Sequence, residues 1–216
     1  MTKLLTSRPY LIVEFLILCI AVPGYIIVTK SAPFLFSFLW GATLYGFLVL
    51  RETHHENLRH LWKWKSVTWD TMKPILLRWA LASVAMAIFI YFYNPERWLF
   101  LPRERPEVML GLIMFYPIFS ALPQEFIFCS FFFARYVPFF GQGRWMILAS
   151  AVIFAYAHVL YINPVAPVMS FLGGLIFAQT YWKTHSLALV TIEHGLYGIS
   201  LFFTGLGWYF YSGAVQ

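Results

Sequence analysis

Three residues of this chain could do acid–base chemistry from within apolar surroundings. Glu125 lies in LPQEFIFCSFFFARY, His158 in FAYAH and His194 in EHGLYG, runs built mostly of apolar and small residues. A charge near the middle of a membrane helix costs roughly 2.5–3.5 kcal/mol on insertion scales. Glu125 therefore needs partners at its own depth. A carboxylate and two imidazoles support two kinds of chemistry. In one, Glu125 is a general base on a water, and a histidine orients that water or holds the oxyanion. In the other, Glu125, His158 and His194 bind a Zn²⁺ that activates the water. Both end in hydrolysis; the other readings are a buried structural network and a proton relay. The sequence has no H-E-x-x-H helix to favour the metal.

The elements that carry these residues follow from composition. The 216 residues are 61% hydrophobic and only 11% charged, where soluble domains carry about 25% charged residues. The chain reads as an all-α, polytopic transmembrane helical bundle, a single domain over 1–216. Residues 1–107 form the N-terminal helices and loops, and 108–206 the helices that carry the chemistry. The net charge of +6 points to a membrane surface and not to nucleic acid, because no basic stripe is interleaved with a soluble fold. Cys19 and Cys129 make neither a disulfide framework nor a metal spacing. The first apolar stretch is long, contains Glu14 and has no A-x-A site, so it reads as a retained anchor.

About 20 apolar residues span the hydrocarbon, which predicts spans near 9–29, 33–50, 74–93, 108–136, 144–162, 165–182 and 186–206. The fourth is long and contains Pro117 and Pro123, which kink it or split it. Charge decides between the two. With one kinked helix and a cytoplasmic N-terminus, ten Lys and Arg fall inside and four outside; a split gives seven and seven. Seven spans are expected, or eight if the helix splits. At 1.5 Å per residue from the inner ends, Glu125, His158 and His194 lie about 16, 21 and 14 Å up their helices. They fall in one thin layer, where such residues face the bundle interior and pair with each other.

Other polar residues read more simply. Glu14 and Arg78 lie close enough to helix ends to reach an interface. The segment 51–73 contains His54, His55 and His60, but its Trp and Lys content reads as an interfacial helix on the headgroups. Gly173 and Gly174 are close-packing positions between helices.

The order and spacing of QEFIFC, FAYAH and HGLYG resemble the CPBP family, which takes in CAAX prenyl endopeptidases, bacteriocin-processing enzymes and the Abi group. Its pattern has two adjacent glutamates with an arginine four residues after the second. A phenylalanine with a histidine four residues on comes next, and then a histidine with an asparagine or similar residue four residues on. Here Glu125 matches the second glutamate, Phe154 and His158 match the second motif, and His194 matches the third. The resemblance covers about residues 108–206. It implies an intramembrane endopeptidase that cleaves near the cytoplasmic side of the bilayer with a glutamate- and histidine-bound water, described both as a metalloprotease and as a glutamic protease.

Three positions depart from that pattern. Gln124 replaces the first glutamate, Cys129 the arginine and Gly198 the asparagine. Gln124 cannot take a proton, so either Glu125 is the base with Gln124 as a supporting donor, or the protein is an inactive scaffold or immunity-type protein that binds membrane peptides. Cys129 lies on the same helix face as Glu125 and reads as a small buried hydrophobe or as a thiolate beside a cation. Arg135 reads as a topology anchor. Asn163 either replaces the missing asparagine or caps the turn before Pro164. Tyr197 bonds into the site or contacts lipid, and Glu193 backs a histidine or lines a water-filled path. The expected partners are a membrane protein or peptide substrate and the lipid bilayer, in a bacterial inner membrane. A proton-coupled transporter is a further alternative, weakened by the lack of an inverted repeat.

Overall fold

The computed structural model describes residues 2–54 and 58–210, and among them every regular element is helical. Seven long helices follow the apolar runs: α1 (Arg8–Val28), α2 (Leu35–His54), α3 (Trp69–Tyr93), α4 (Pro106–Arg135), α5 (Arg144–Tyr161), α6 (Val165–Thr184) and α7 (Leu187–Thr204). Six of them are long and apolar enough to cross a membrane, and α2 is the exception. Its last turn is Arg51-Glu52-Thr53-His54, and Gly41, Thr43, Tyr45 and Gly46 dilute its middle. The expected count of seven spans therefore becomes six by length and hydropathy among the described residues. The chain is an integral membrane protein. His55 and the side chain of His54 lie outside the described residues.

The fourth span is one continuous rod of 30 residues, which answers the choice between a kinked and a split helix. Its backbone widens into π turns at Pro117–Ala121 and again at Phe126–Phe131, on either side of Gln124 and Glu125. Proline has no N–H and its ring crowds the preceding turn, so Pro117 and Pro123 disturb the i to i−4 ladder. A π turn re-aims the side chains around it, and such turns recur at functional sites.

Burial identifies the central element. In α7 67% of the apolar window is buried, against 17% in α3. Helix α6 packs closely on α5 because Gly174 has no side chain: a Cβ there would sit 3.0 Å from the Ala151 Cα. Gly173 does not share this role, since its Cβ would meet the Phe177 ring of its own helix. Both ends of α7 are held. At its start, Ser186 accepts from the Leu189 N–H at 3.2 Å, and its hydroxyl lies 3.1 Å from the Lys63 carbonyl in the segment between α2 and α3. At its end, the Leu99 N–H donates to the Thr204 carbonyl at 3.0 Å. Gly205 has φ +110°, and its missing Cβ leaves room for the Arg97 carbonyl.

Two ion pairs replace the interfacial roles expected of Glu14, Arg78 and Arg135. Arg135 donates from Nε to Glu14 Oε2 at 3.0 Å and from Nη2 to Oε1 at 2.9 Å, with the side chains 3% and 1% exposed. Arg135 also donates to the Leu5 carbonyl at 2.8 Å, and the Tyr45 hydroxyl donates to Glu14 Oε1 at 2.7 Å. Neither residue reaches water because each satisfies the other, so Arg135 is a clamp between α1 and α4, not a topology anchor. Arg78 does not simply snorkel. It crosses to Glu193 on α7 at 2.8 Å and to Thr180 on α6 at 3.3 Å.

Breaking a buried pair by removing one partner costs about 3–5 kcal/mol, because the other charge is left uncompensated. Arg135→Ala and Glu14→Ala are each expected to lower stability by that order in detergent unfolding. The double substitution is expected to cost less than the sum of the two.

Candidate active site

The Glu125 carboxylate, 1% exposed, lies between two side chains. Its Oε1 accepts from His194 Nδ1 at 2.6 Å, and its Oε2 accepts from the Cys129 thiol at 3.1 Å. An ionised carboxylate only accepts, so Nδ1 of His194 carries the hydrogen and Nε2 is the acceptor of the neutral ring. The Tyr116 hydroxyl lies 3.0 Å from that Nε2. The result is a chain from carboxylate to imidazole to phenol, linking two turns of α4 through α7. The His194 ring is stacked on Phe177 with centroids 4.6 Å apart and planes 13° apart, so α6 fixes its plane.

His158 caps the helical part of α5. Its Nδ1 lies 2.7 Å from the Phe154 carbonyl, one turn back. A carbonyl cannot donate, so Nδ1 carries the hydrogen here too, and Nε2 is left as a lone pair. Phe154 packs against both imidazoles, with centroids 4.5 Å from His158 and 5.8 Å from His194. The two histidines therefore flank a shared ring, without a direct bond between them.

Both histidines line a mainly apolar cavity of about 1390 Å³, together with Tyr116, Ser120 and Gln124. Glu125 does not line it and stands behind His194. The Gln124 amide nitrogen donates to Ser120 Oγ at 2.9 Å, while its carbonyl oxygen is buried without a partner.

The remaining sequence candidates separate. Cys129 bonds a carboxylate, not the cation that a thiolate needs. Asn163 is a cap: its Oδ1 accepts from the Ala166 N–H at 2.9 Å, and its Nδ2 donates to the Tyr209 carbonyl at 2.8 Å. It does not stand in for the family's asparagine. Tyr197 lines the cavity with its ring against Phe177. Glu193 is fully buried, faces Arg78, and neither backs a histidine nor lines the cavity.

The metal reading of Glu125, His158 and His194 does not fit. Among the described residues no three His, Cys, Asp or Glu side chains are grouped to hold an ion. Both carboxylate oxygens of Glu125 and Nδ1 of His194 are committed to protein partners.

Two features of the site were missed from sequence. Tyr116, Ser120 and Gln124 recur every fourth residue, a polar stripe on one face of an apolar helix. Gly198 was seen only as a missing asparagine. A Cβ at Gly198 would run into the Tyr116 ring, so the glycine makes room for the tyrosine.

No curated protein and no solved structure matches the chain. One family does, described as type II CAAX prenyl endopeptidase Rce1-like, over residues 106–200. That stretch contains all of α4 and α5 and most of α7, hence Tyr116, Glu125, His158, His194 and Gly198. It agrees with the resemblance carried by the three motifs and supports a protease-type enzyme. Over residues 106–200 this membrane protein is thus similar to the Rce1-like family of type II CAAX prenyl endopeptidases.

Proposed function

We propose that the chain is an intramembrane endopeptidase that hydrolyses a peptide bond with a water activated by Glu125, His194 and His158. The observation that carries this reading is the 2.6 Å contact of Glu125 with His194, 69 residues apart in sequence, at the wall of the cavity. The water donates one hydrogen to Nε2 of His194 and the other to Nε2 of His158. As its oxygen adds to the carbonyl carbon, the first proton passes to His194, and Glu125 stabilises the imidazolium that forms. Collapse of the tetrahedral adduct breaks the C–N bond, and the same proton leaves with the amine. Glu125 thus supplies basicity through the imidazole, and Gln124 is a supporting donor at the rim.

The substrate is a membrane-associated or lipid-modified protein segment, unwound where it is cut, because a helical peptide ties up its carbonyls. The cavity's apolar walls suit such a segment. The chain works in a bacterial inner membrane with its N-terminus in the cytoplasm.

Protein reconstituted in liposomes and given a pool of quenched-fluorescence peptides, with and without an isoprenylated cysteine, tests this reading. Glu125→Gln is expected to lower cleavage by roughly 10²–10⁴-fold, the scale of a lost acid–base group, with the fold kept. A Glu125→Gln protein that keeps its cellular phenotype would instead identify a binding scaffold. Since the donor set closes on itself, purified protein is expected to lack stoichiometric zinc. Chelator treatment, followed by metal analysis and cleavage, is expected to leave the rate unchanged.

A further inference from the structure

The two histidines present Nε2 to the cavity as acceptors, so neither neutral ring donates a hydrogen bond from that atom. Peptide hydrolysis needs a donor where the carbonyl oxygen becomes negative. The Tyr116 hydroxyl is within hydrogen-bond reach of the reacting nitrogen, 3.0 Å from His194 Nε2, and it lines the same cavity. Its position is built. Pro117 opens the π turn that follows it, the absent side chain of Gly198 receives its ring, and the ring meets Phe202 edge-on at 5.6 Å. A Cβ at Gly195 would lie 3.3 Å from Pro117, so α4 and α7 are in close contact just below the ring.

We propose that Tyr116 is a further catalytic residue, an exchangeable hydrogen-bond donor that caps His194 in the resting state and turns to the substrate carbonyl oxygen during attack. The assignment rests on the hydrolase reading above. In the resting site the O–H donates to Nε2 and holds His194 in the tautomer with hydrogen on Nδ1. When water takes over Nε2, the freed O–H lies beside the reacting carbon and donates to its oxygen. No proton leaves the phenol, so the step changes hydrogen bonds only. The site thereby stores its oxyanion donor on its own base until substrate arrives.

Tyr116→Phe keeps the ring that fills the Gly198 hollow and removes only the oxygen. In nanodiscs with ¹⁵N-histidine, His194 is assigned by the peak lost in His194→Gln. The Tyr116→Phe protein is expected to show the Nε2 resonance moved to that of an unbonded imine nitrogen, with the His158 signals unchanged. On the peptide pool above, Tyr116→Phe is expected to lower kcat by ~10²-fold, the scale of one lost oxyanion donor, with KM little changed. An unmoved His194 signal overturns the assignment, as does cleavage at the parental kcat. Glu125→Gln in the same experiments separates the two readings. If Glu125→Gln is inert and Tyr116→Phe is fully active, the tyrosine assignment alone falls. If Glu125→Gln cleaves at the parental rate, the role given to Glu125 falls, and if the parental protein cleaves none of the peptides, the hydrolase reading falls; in both cases the His194 spectrum still reports whether Tyr116 caps it.

Discussion

A carboxylate placed among hydrocarbon must find its counterpart within the protein, because neither water nor lipid will solvate it. Glu125 meets that constraint with His194 on one oxygen and Cys129 on the other. Much of the bundle serves this arrangement. Helix α7 is the most buried of the spans, α6 supplies the ring that stacks on His194, and α4 supplies acid, thiol and phenol from three places along one helix. The same rule accounts for the two other buried acids, Glu14 and Glu193, each answered by an arginine from a distant part of the chain.

These three pairings divide the work. Arg135 with Glu14 and Arg78 with Glu193 join helices and face away from the cavity. The pairing at Glu125 is the one whose far side, through His194, opens on the cavity. A carboxylate held behind an imidazole keeps its charge away from substrate while still stabilising charge on the ring. A residue almost without exposure thereby acts electrostatically on a surface it does not touch.

Much of this was legible in the sequence. Hydropathy placed the seven helices within a few residues. Charge asymmetry chose the unbroken fourth span. A shared depth in the sequence reading places Glu125 and His194 in one layer, where the structure joins them. Pairings that need geometry were not legible. Glu14 and Arg135 are 121 residues apart, and each alone reads as an interfacial residue. Asn163 was ambiguous because capping and site roles call for the same amide at the same end of a helix. Metal ligation could not be settled because tautomers and donor directions are not written in spacing. Tyr116 was overlooked because a tyrosine is unremarkable in a chain that is 21% aromatic; only its register with Ser120 and Gln124 sets it apart.

The hollow at Gly198 interlocks two positions. A Cβ there collides with the phenol ring, and removing that ring leaves a void beside His194. Positions 116 and 198 therefore answer to substitution jointly: a side chain added at 198 is accommodated only with a smaller one at 116.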